Sequence, residues 1–304
     1  MEEIWNKILN LKKEVDSVIA EQFSSVQFFV SEEEDEVLIN TKLDVSAFKS
    51  VYISKDIDFD TPNEISSFAL IDVWNVHFLN TTQWSVDEIN FLKLYLPYCL
   101  SSIIANQQQK SFVVSHFAQT LDGKIATHLG SSKWIGNQEN LIHSHRMRAL
   151  CAGIMVGAKT YEVDAPQLTV RLVEGSNPIK IVVSKNNQLR TSLNDDILWI
   201  SDGVDVRDDG ILNCEQIVKD LFAKGIYSVY LEGGAHTTSQ FLATKNINVL
   251  QLHISPIILG SGINNFSLFP VNEISEGIKF TNYQYFIIGS ELMFVGEFFK
   301  PNQV

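Results

Sequence analysis

The chain has 304 residues, 45% of them hydrophobic, enough for a packed core and suggestive of two domains or one large one. A formal charge of −13 repels a phosphate backbone and makes nucleic acid a poor partner, although local amides and arginines still bind an anionic ligand in an acidic protein. No apolar run reaches the roughly 20 residues of a membrane span, the acidic opening Met1-Glu2-Glu3 is not a secretory signal, and the isolated Cys99, Cys151 and Cys214 argue against disulfides or zinc and for a reducing cytoplasm.

Ile4, Ile8, Leu11, Val15 and Val18 step by four and three and predict an opening amphipathic helix, its stripe read as core. Strand-like runs follow at 26–30 and 37–40, and the acidic run 32–36 between them reads as a solvated hairpin tip rather than a metal site. Further strands are predicted at 50–54 and 68–76. Ser85 with Glu88 forms a capping-box pattern and opens a helix that Pro97 breaks or kinks before it resumes toward Ile104. Residues 105–110 read as a linker, which gives an N-terminal α+β domain at 1–105 and a second domain at 111–304.

From Ser111 the rhythm changes. Strands are predicted at 112–118, 153–156, 179–184, 197–200, 227–231 and 249–254, with helices at 138–150, 215–224 and 237–244. Short apolar strands alternating with helices imply an α/β fold with a mostly parallel sheet covered on both faces. At the end, 283–288 and 292–298 flank Gly289-Ser290-Glu291 and read as an antiparallel hairpin closing the sheet edge.

Five segments in this half carry possible chemistry. Thr120-Leu121-Asp122-Gly123-Lys124 follows a strand; it is a tight turn, or it brings the Lys124 cation to a ligand pocket at the strand's carboxyl end. The loop 130–136 carries Ser132 and Trp134, and the indole either closes over a flat ring or simply packs. The helix after it holds His143 and His145, which point to opposite sides and cannot chelate one ion together. Beyond Gly157, Thr160 and Asp164 lie four apart on a short helical turn, Pro166 forces an extended exit, and Arg171 suits a phosphate or stays on the surface. Glu232-Gly233-Gly234 runs from a strand into a helix, leaving amides open to a pyrophosphate without the Gly-x-Gly-x-x-Gly fingerprint. The fifth, Leu259-Gly260-Ser261-Gly262, reads as structural.

In order and at these separations, the stretches AQTLDGKIA, SSKWIG, HRMRA, IMVGAKTYEVDAPQLTVR, YLEGGAHTTSQFL and ISPIILGSG resemble the reductase domain of the bifunctional riboflavin-biosynthesis deaminase-reductases. The resemblance spans about residue 112 to the C-terminus and implies a dihydrofolate-reductase-like fold. It implies NADPH contacts at Ala118, Trp134, Thr160 and Asp164, and cofactor phosphates held at Gly234, Ala235, His236, Thr237, Thr238, Ser239 and Gln240. It implies a substrate site lined by Ser132, Arg148, Leu168, Arg171 and Glu232, with Lys124 facing the pyrimidine. Lys124 and Glu232 are the candidates for orienting the uracil and moving protons, and Lys185 for meeting a 2′-phosphate. The implied reaction reduces the ribosylamino side chain of 5-amino-6-(5-phosphoribosylamino)uracil to ribitylamino by hydride transfer to C1′, in a homodimer.

Two positions depart from the family pattern: Ala152 and Asn248 stand where aspartates are usual. No His-x-Glu and no Pro-Cys-x-x-Cys occurs, so zinc-dependent deamination is not expected. The competing readings are a pterin or dihydrofolate reductase, another pyrimidine reductase of a specialised pathway, and a non-catalytic ligand-binding regulator using residues 1–105 as its interaction module.

Overall fold

The computed structural model describes residues 1–18, 28–30, 37–39, 50–54, 68–72, 75–79, 85–133, 135–184, 196–200, 212–280 and 282–298. The acidic run 32–36, Trp134 and Lys185 lie outside the described residues. The chain divides into two compact units, Met1–Gln107 and Gln108–Val304.

In the first unit, helix α1 (Glu2–Val18) buries Trp5, Ile8, Leu11 and Val15. Trp5 leads this stripe in place of the expected Ile4, because its ring meets Phe91 and Tyr95 edge-on, with centroids 6.4 and 5.7 Å away. Strands β1 (Phe28–Val30) and β2 (Val37–Ile39) pair antiparallel. Strand β3 (Ser50–Ser54) runs parallel to β4 (Phe68–Asp72), which pairs antiparallel with β5 (Asn75–Leu79). The single strand expected at 68–76 is therefore two: Asp72 and Asn75, residue types that strands disfavour and turns favour, end one and begin the next.

Ser85 caps α2 (Val86–Tyr95) with the reciprocal Glu88 bond that its spacing implies. Pro97 then forces a 3-10 turn over Leu96–Leu100 before α3 (Ser101–Gln108). The linker expected at 105–110 contains the division between the units, but its first part is helical: Ala105 is fully buried within α3, and the helix ends only where Gln109 turns left-handed at φ +53°. Alanine and glutamine are good helix formers, so composition alone did not mark a break.

The second unit contains β6 (Phe112–Thr120), β7 (Lys124–Thr127), α4 (Gln138–Leu150), β8 (Gly153–Gly157), α5 (Ala158–Asp164), β9 (Ile179–Val183) and β10 (Ile197–Ile200). It continues with α6 (Cys214–Ala223), β11 (Ser228–Glu232), α7 (Ala235–Ala243), β12 (Val249–Ser255), β13 (Gly262–Asn264), β14 (Asn282–Ile288) and β15 (Glu291–Glu297). Eight strands form one sheet in the order β10-β9-β8-β11-β6-β12-β15-β14. The first six run parallel, and the β14–β15 hairpin closes the edge antiparallel, as the sequence pattern and the dihydrofolate-reductase-like resemblance imply. A two-stranded ribbon of β7 and β13 was not foreseen; both strands are short, and each lies in a stretch read as a turn.

The two faces of the sheet differ in chemistry. Val113, Met155, Ile181, Val229, Leu231 and Leu250 form an apolar face against Ile217, Val218 and Leu221 of α6 and Phe241 and Leu242 of α7. The alternate residues His116, Tyr230, Gln251 and His253 point the other way, where His143 of α4 reaches Gln251 across 2.9 Å. Asn248 explains one family departure. Its carbonyl accepts from the Val113 amide at 2.8 Å while its NH2 donates to Gln108, a donor that aspartate lacks.

Two tests follow from this packing. Phe241→Ala, which empties a fully buried ring from the apolar face, is expected to cost about 3–5 kcal/mol in urea unfolding. Glu297 is buried in β15 and accepts from Asn282 at 2.6 Å; burial raises its pKa from 4.5 to about 7. The folded state thus keeps a proton that the unfolded chain releases, so this contribution is complete below pH 4.5 and lost as pH rises through 7. Glu297→Gln removes that loss, so between about pH 5 and 8 its stability should rise progressively relative to wild type.

Candidate active site

In an open parallel sheet, ligands bind at the carboxyl ends of the strands, and here the ends of β8, β11, β6 and β12 are neighbours. Each crossover helix runs antiparallel to its strands, so the N-termini of α4, α5 and α7 return to this same edge.

The first part of the edge is a backbone cradle. Gly233 and Gly234 take consecutive left-handed conformations at φ +84° and +77°, and Gly234 is the N-cap of α7 with no side-chain capping bond. A Cβ on Gly234 would lie 3.1 Å from Thr160 Oγ1, and one on Gly157 would lie 2.6 Å from Thr237 Oγ1. Two glycines thus let α5 and α7 approach β8 and β11 closely, with both threonine hydroxyls at the junction. Open amides, two hydroxyls and no side chain in the way fit a phosphate group. Of the predicted segment 234–240, Thr237, Thr238 and Ser239 are buried, Thr237 with its hydroxyl against Gly157 and Gly234 at the helix opening, while Ser239 bonds back to Ala235 and receives the Ser267 amide. Gln240 accepts from the Leu212 amide and also meets His236. The residues left at the helix opening are Gly234, Ala235, His236 and Thr237.

The second part is an ion pair. Arg148, near the end of α4, donates through Nε and Nη2 to both oxygens of Glu232, at 2.8 and 2.6 Å, and through Nη1 to the Thr169 carbonyl at 2.9 Å. Its side chain is 8% exposed and that of Glu232 25%. Burial alone would lower the guanidinium pKa, but the Glu232 carboxylate outweighs it and raises the value, keeping Arg148 charged. The structure thus joins two predicted substrate residues to each other, with Arg148 holding the carboxylate at the end of β11.

The third part is the loop after α5. Ala165 and Leu168 are left-handed at φ +41° and +54°, and the Leu168 side chain is buried. A non-glycine residue kept there marks a turn fixed by its surroundings. Here the turn aims the Thr169 carbonyl at Arg148. Arg171 is exposed, with Nη1 on Thr169 Oγ1 at 2.7 Å, and its amide donates to Nδ1 of His145 at 2.9 Å. Burial, with Arg148 and Arg171 nearby, lowers the His145 pKa to about 4, so the ring is neutral and its Nδ1 is free to accept. Sequence reasoning used His145 only to reject a metal and missed this anchoring role; its spacing from Arg148 was the available signal.

Lys124 donates to Asn264 of β13, and Ala118 lies beside His253 on the sheet face under α4. Asp122 accepts from Thr120 at 2.6 Å and from the Leu259 and Gly260 amides at 3.2 and 2.7 Å, which ties the Asp-Gly turn to the glycine-rich turn after β12. Ser132 and Asp164 are exposed. Among the described residues no group of three metal-binding side chains occurs, and no helix is long and apolar enough to cross a membrane.

Arg148→Ala would strand the Glu232 carboxylate and is expected to cost on the order of 3 kcal/mol, read by chemical denaturation. Arg171→Ala, whose guanidinium is exposed, should change stability by no more than about 0.5 kcal/mol in the same measurement.

Comparison with known proteins sharpens this picture. The family described as RibD C-terminal domain matches residues 111–292. Riboflavin biosynthesis protein RibD of Aquifex aeolicus is 28% identical over 214 residues, covering 64% of this chain and 58% of the relative. A 2,5-diamino-6-ribosylamino-4(3H)-pyrimidinone 5′-phosphate reductase of Methanothermobacter thermautotrophicus is 29% identical over 212 residues, covering 60% of this chain and 96% of the relative. Among solved structures, a diaminohydroxyphosphoribosylaminopyrimidine deaminase/5-amino-6-(5-phosphoribosylamino)uracil reductase of Thermotoga maritima has a TM-score of 0.57 and 29% identity, covering 70% of this chain and 62% of that one. The chain thus spans about three-fifths of the Aquifex RibD and Thermotoga proteins. A match over well more than half of its length establishes that this chain belongs to the RibD C-terminal domain family.

Proposed function

We propose that the second unit is an NADPH-dependent oxidoreductase of riboflavin biosynthesis, reducing the ribosylamino side chain of 5-amino-6-(5-phosphoribosylamino)uracil to ribitylamino. The observation that carries this reading is the juxtaposition, on one sheet edge, of a glycine cradle for a cofactor phosphate and an Arg148-held carboxylate beside the Arg171 loop.

In this reading Thr160, Asp164, Ala118, Trp134 and the opening of α7 at Gly234–Thr237 hold the cofactor. A reduced nicotinamide held by these residues would supply the hydride for the sugar C1′ in its ring-opened imine form. Arg171 keeps guanidinium donors for the substrate phosphate, a geometry suited to bidentate contact. Glu232, fixed by Arg148, accepts from the uracil N–H groups, while Ser132 and Leu168 line the same site. Lys124 is the candidate to deliver a proton to the side-chain nitrogen as C1′ is reduced. Most of the rate then comes from holding the two reactants together.

A second reading takes the 2,5-diamino pyrimidinone as substrate. It is favoured by the match to 96% of the Methanothermobacter reductase, whose name carries that substrate. A homodimer in the cytoplasm completes the proposal. Edge strand β14 presents Tyr283, Tyr285 and Ile287 at 51, 59 and 74% exposure, an apolar row suited to a second copy. Cys99, Cys151 and Cys214 are buried thiols outside any disulfide, as befits a reducing compartment.

The test is loss of NADPH absorbance with each pyrimidine. Turnover with either supports a ribosylamino reductase, and the faster one selects the substrate. Arg171→Ala should lower kcat/KM by about 10- to 100-fold, the value of a charge-assisted hydrogen-bonded contact. No oxidation with either pyrimidine would refute the proposal, and a monomer in light scattering would refute the dimer.

A further inference from the structure

The polar face of the sheet holds a second buried carboxylate that the mechanism above does not use. Glu291 opens β15 with its carboxylate on Ser255 at the end of β12, and Ser255 in turn lies beside Thr120, so all three sit at the carboxyl edge of β6 and β12. The Glu291 residue is only 8% exposed, yet three donors converge on its carboxylate. Ser255 Oγ donates to Oε1 at 2.7 Å, the Asn137 amide donates to Oε2 at 3.0 Å, and His253 Nε2 is bonded to Oε2 as well. Burial alone would raise the Glu291 carboxyl, but these hydrogen bonds outweigh it and hold the pKa below the ordinary value. Burial likewise lowers His253, which makes it a neutral ring donating its Nε2 proton.

Asn137 is the point where this anchor meets the chain. Its side chain caps α4 by accepting the Asn140 amide at 2.8 Å and donates to the Ile288 carbonyl at 2.9 Å. The hairpin turn comes so close that a Cβ on Gly289, already left-handed at φ +63°, would lie 3.0 Å from Asn137 Nδ2. The N-terminus of α4 is therefore clamped to the tip of the β14–β15 hairpin. The segment just before it carries Ser132. Its other end is fastened too: the Thr127 amide donates to the Ser131 carbonyl at 2.9 Å, and Ser131 returns a bond to Thr127 Oγ1 at 3.1 Å.

We infer that Glu291 is a positioning residue: through His253, Ser255 and the Asn137 amide it fixes the segment that presents Ser132 to the substrate. The inference rests on the proposed function, because Ser132 is a substrate contact only in that reading. It assigns no chemistry to Glu291, whose described partners are His253, Ser255 and Asn137. The surroundings also say which replacement works. A glutamine keeps an acceptor for His253 and Asn137, and its NH2 can donate to Ser255, whose hydroxyl also accepts. Alanine leaves all three partners without an acceptor in a buried site.

Steady-state kinetics and amide hydrogen exchange on Glu291→Ala and Glu291→Gln test this. Glu291→Ala should raise KM for the ribosylamino-pyrimidine phosphate about tenfold while kcat changes less than about threefold, the mark of lost uniform binding. Exchange should quicken at residues 130–137 and stay unchanged in α7, and Glu291→Gln should recover most of both losses. An unchanged KM, exchange that quickens equally throughout the unit, or a glutamine variant as impaired as alanine would overturn the inference. If wild-type protein turns over no pyrimidine, the proposed function fails separately. The exchange arm then decides the clamp by itself, and unaltered exchange at 130–137 in Glu291→Ala overturns it.

Discussion

A guanidinium as deeply placed as that of Arg148 has to be paired, and the way it is paired organises the rest of the site. Three of its five donors go to the Glu232 carboxylate and the Thr169 carbonyl, so one side chain ties the end of α4, the end of β11 and the loop after α5 into a single corner. Leu168 accepts a left-handed backbone to bring Thr169 there. One turn earlier on the same helix, neutral His145 takes the Arg171 amide. Arg171, the proposed phosphate contact, is thus placed by His145 and by the Thr169 that Arg148 holds.

Helix α4 acts as a rail between two anchors. Its C-terminal end fixes the Arg171 loop, and its N-terminal end is held by Glu291 through Asn137. Both anchors sit on the polar face of the sheet, where His116, His143 and His253 are buried together. Burial and mutual repulsion lower His116 well below its ordinary value, and burial lowers His143 to about 4. These neutral rings leave the Glu291 carboxylate and the Arg148–Glu232 pair as the charges on that face. The opposite face does the stabilising work by burying apolar side chains under α6 and α7.

Much of the second unit was legible in the sequence because local signals and global fold agree there. The helix at 138–150 and the strand at 197–200 fall where periodicity puts them, and the glycine pair after β11 does turn left-handed into a helix N-terminus. What escaped were pairings between residues far apart in the chain. Nothing in the text of the sequence links Arg148 to Glu232, 84 positions away, or His253 to Glu291. The β7–β13 ribbon escaped for the same reason, since each strand alone is too short to leave a periodic signature. In the first unit the split at Asp72 and Asn75 was readable from residue type but was hidden by the apolar run around it.

The central claim is that the carboxyl ends of adjacent strands form one ligand cleft, with the glycine cradle and the Arg148–Glu232 corner as its two sides. Hydrogen exchange of the full chain, with and without NADPH and the ribosylamino-pyrimidine phosphate together, tests it most directly. The account predicts protection concentrated at residues 157–171 and 232–238, with little change in α6 or the first unit. Protection confined to other segments, or none at saturating ligand, would contradict it.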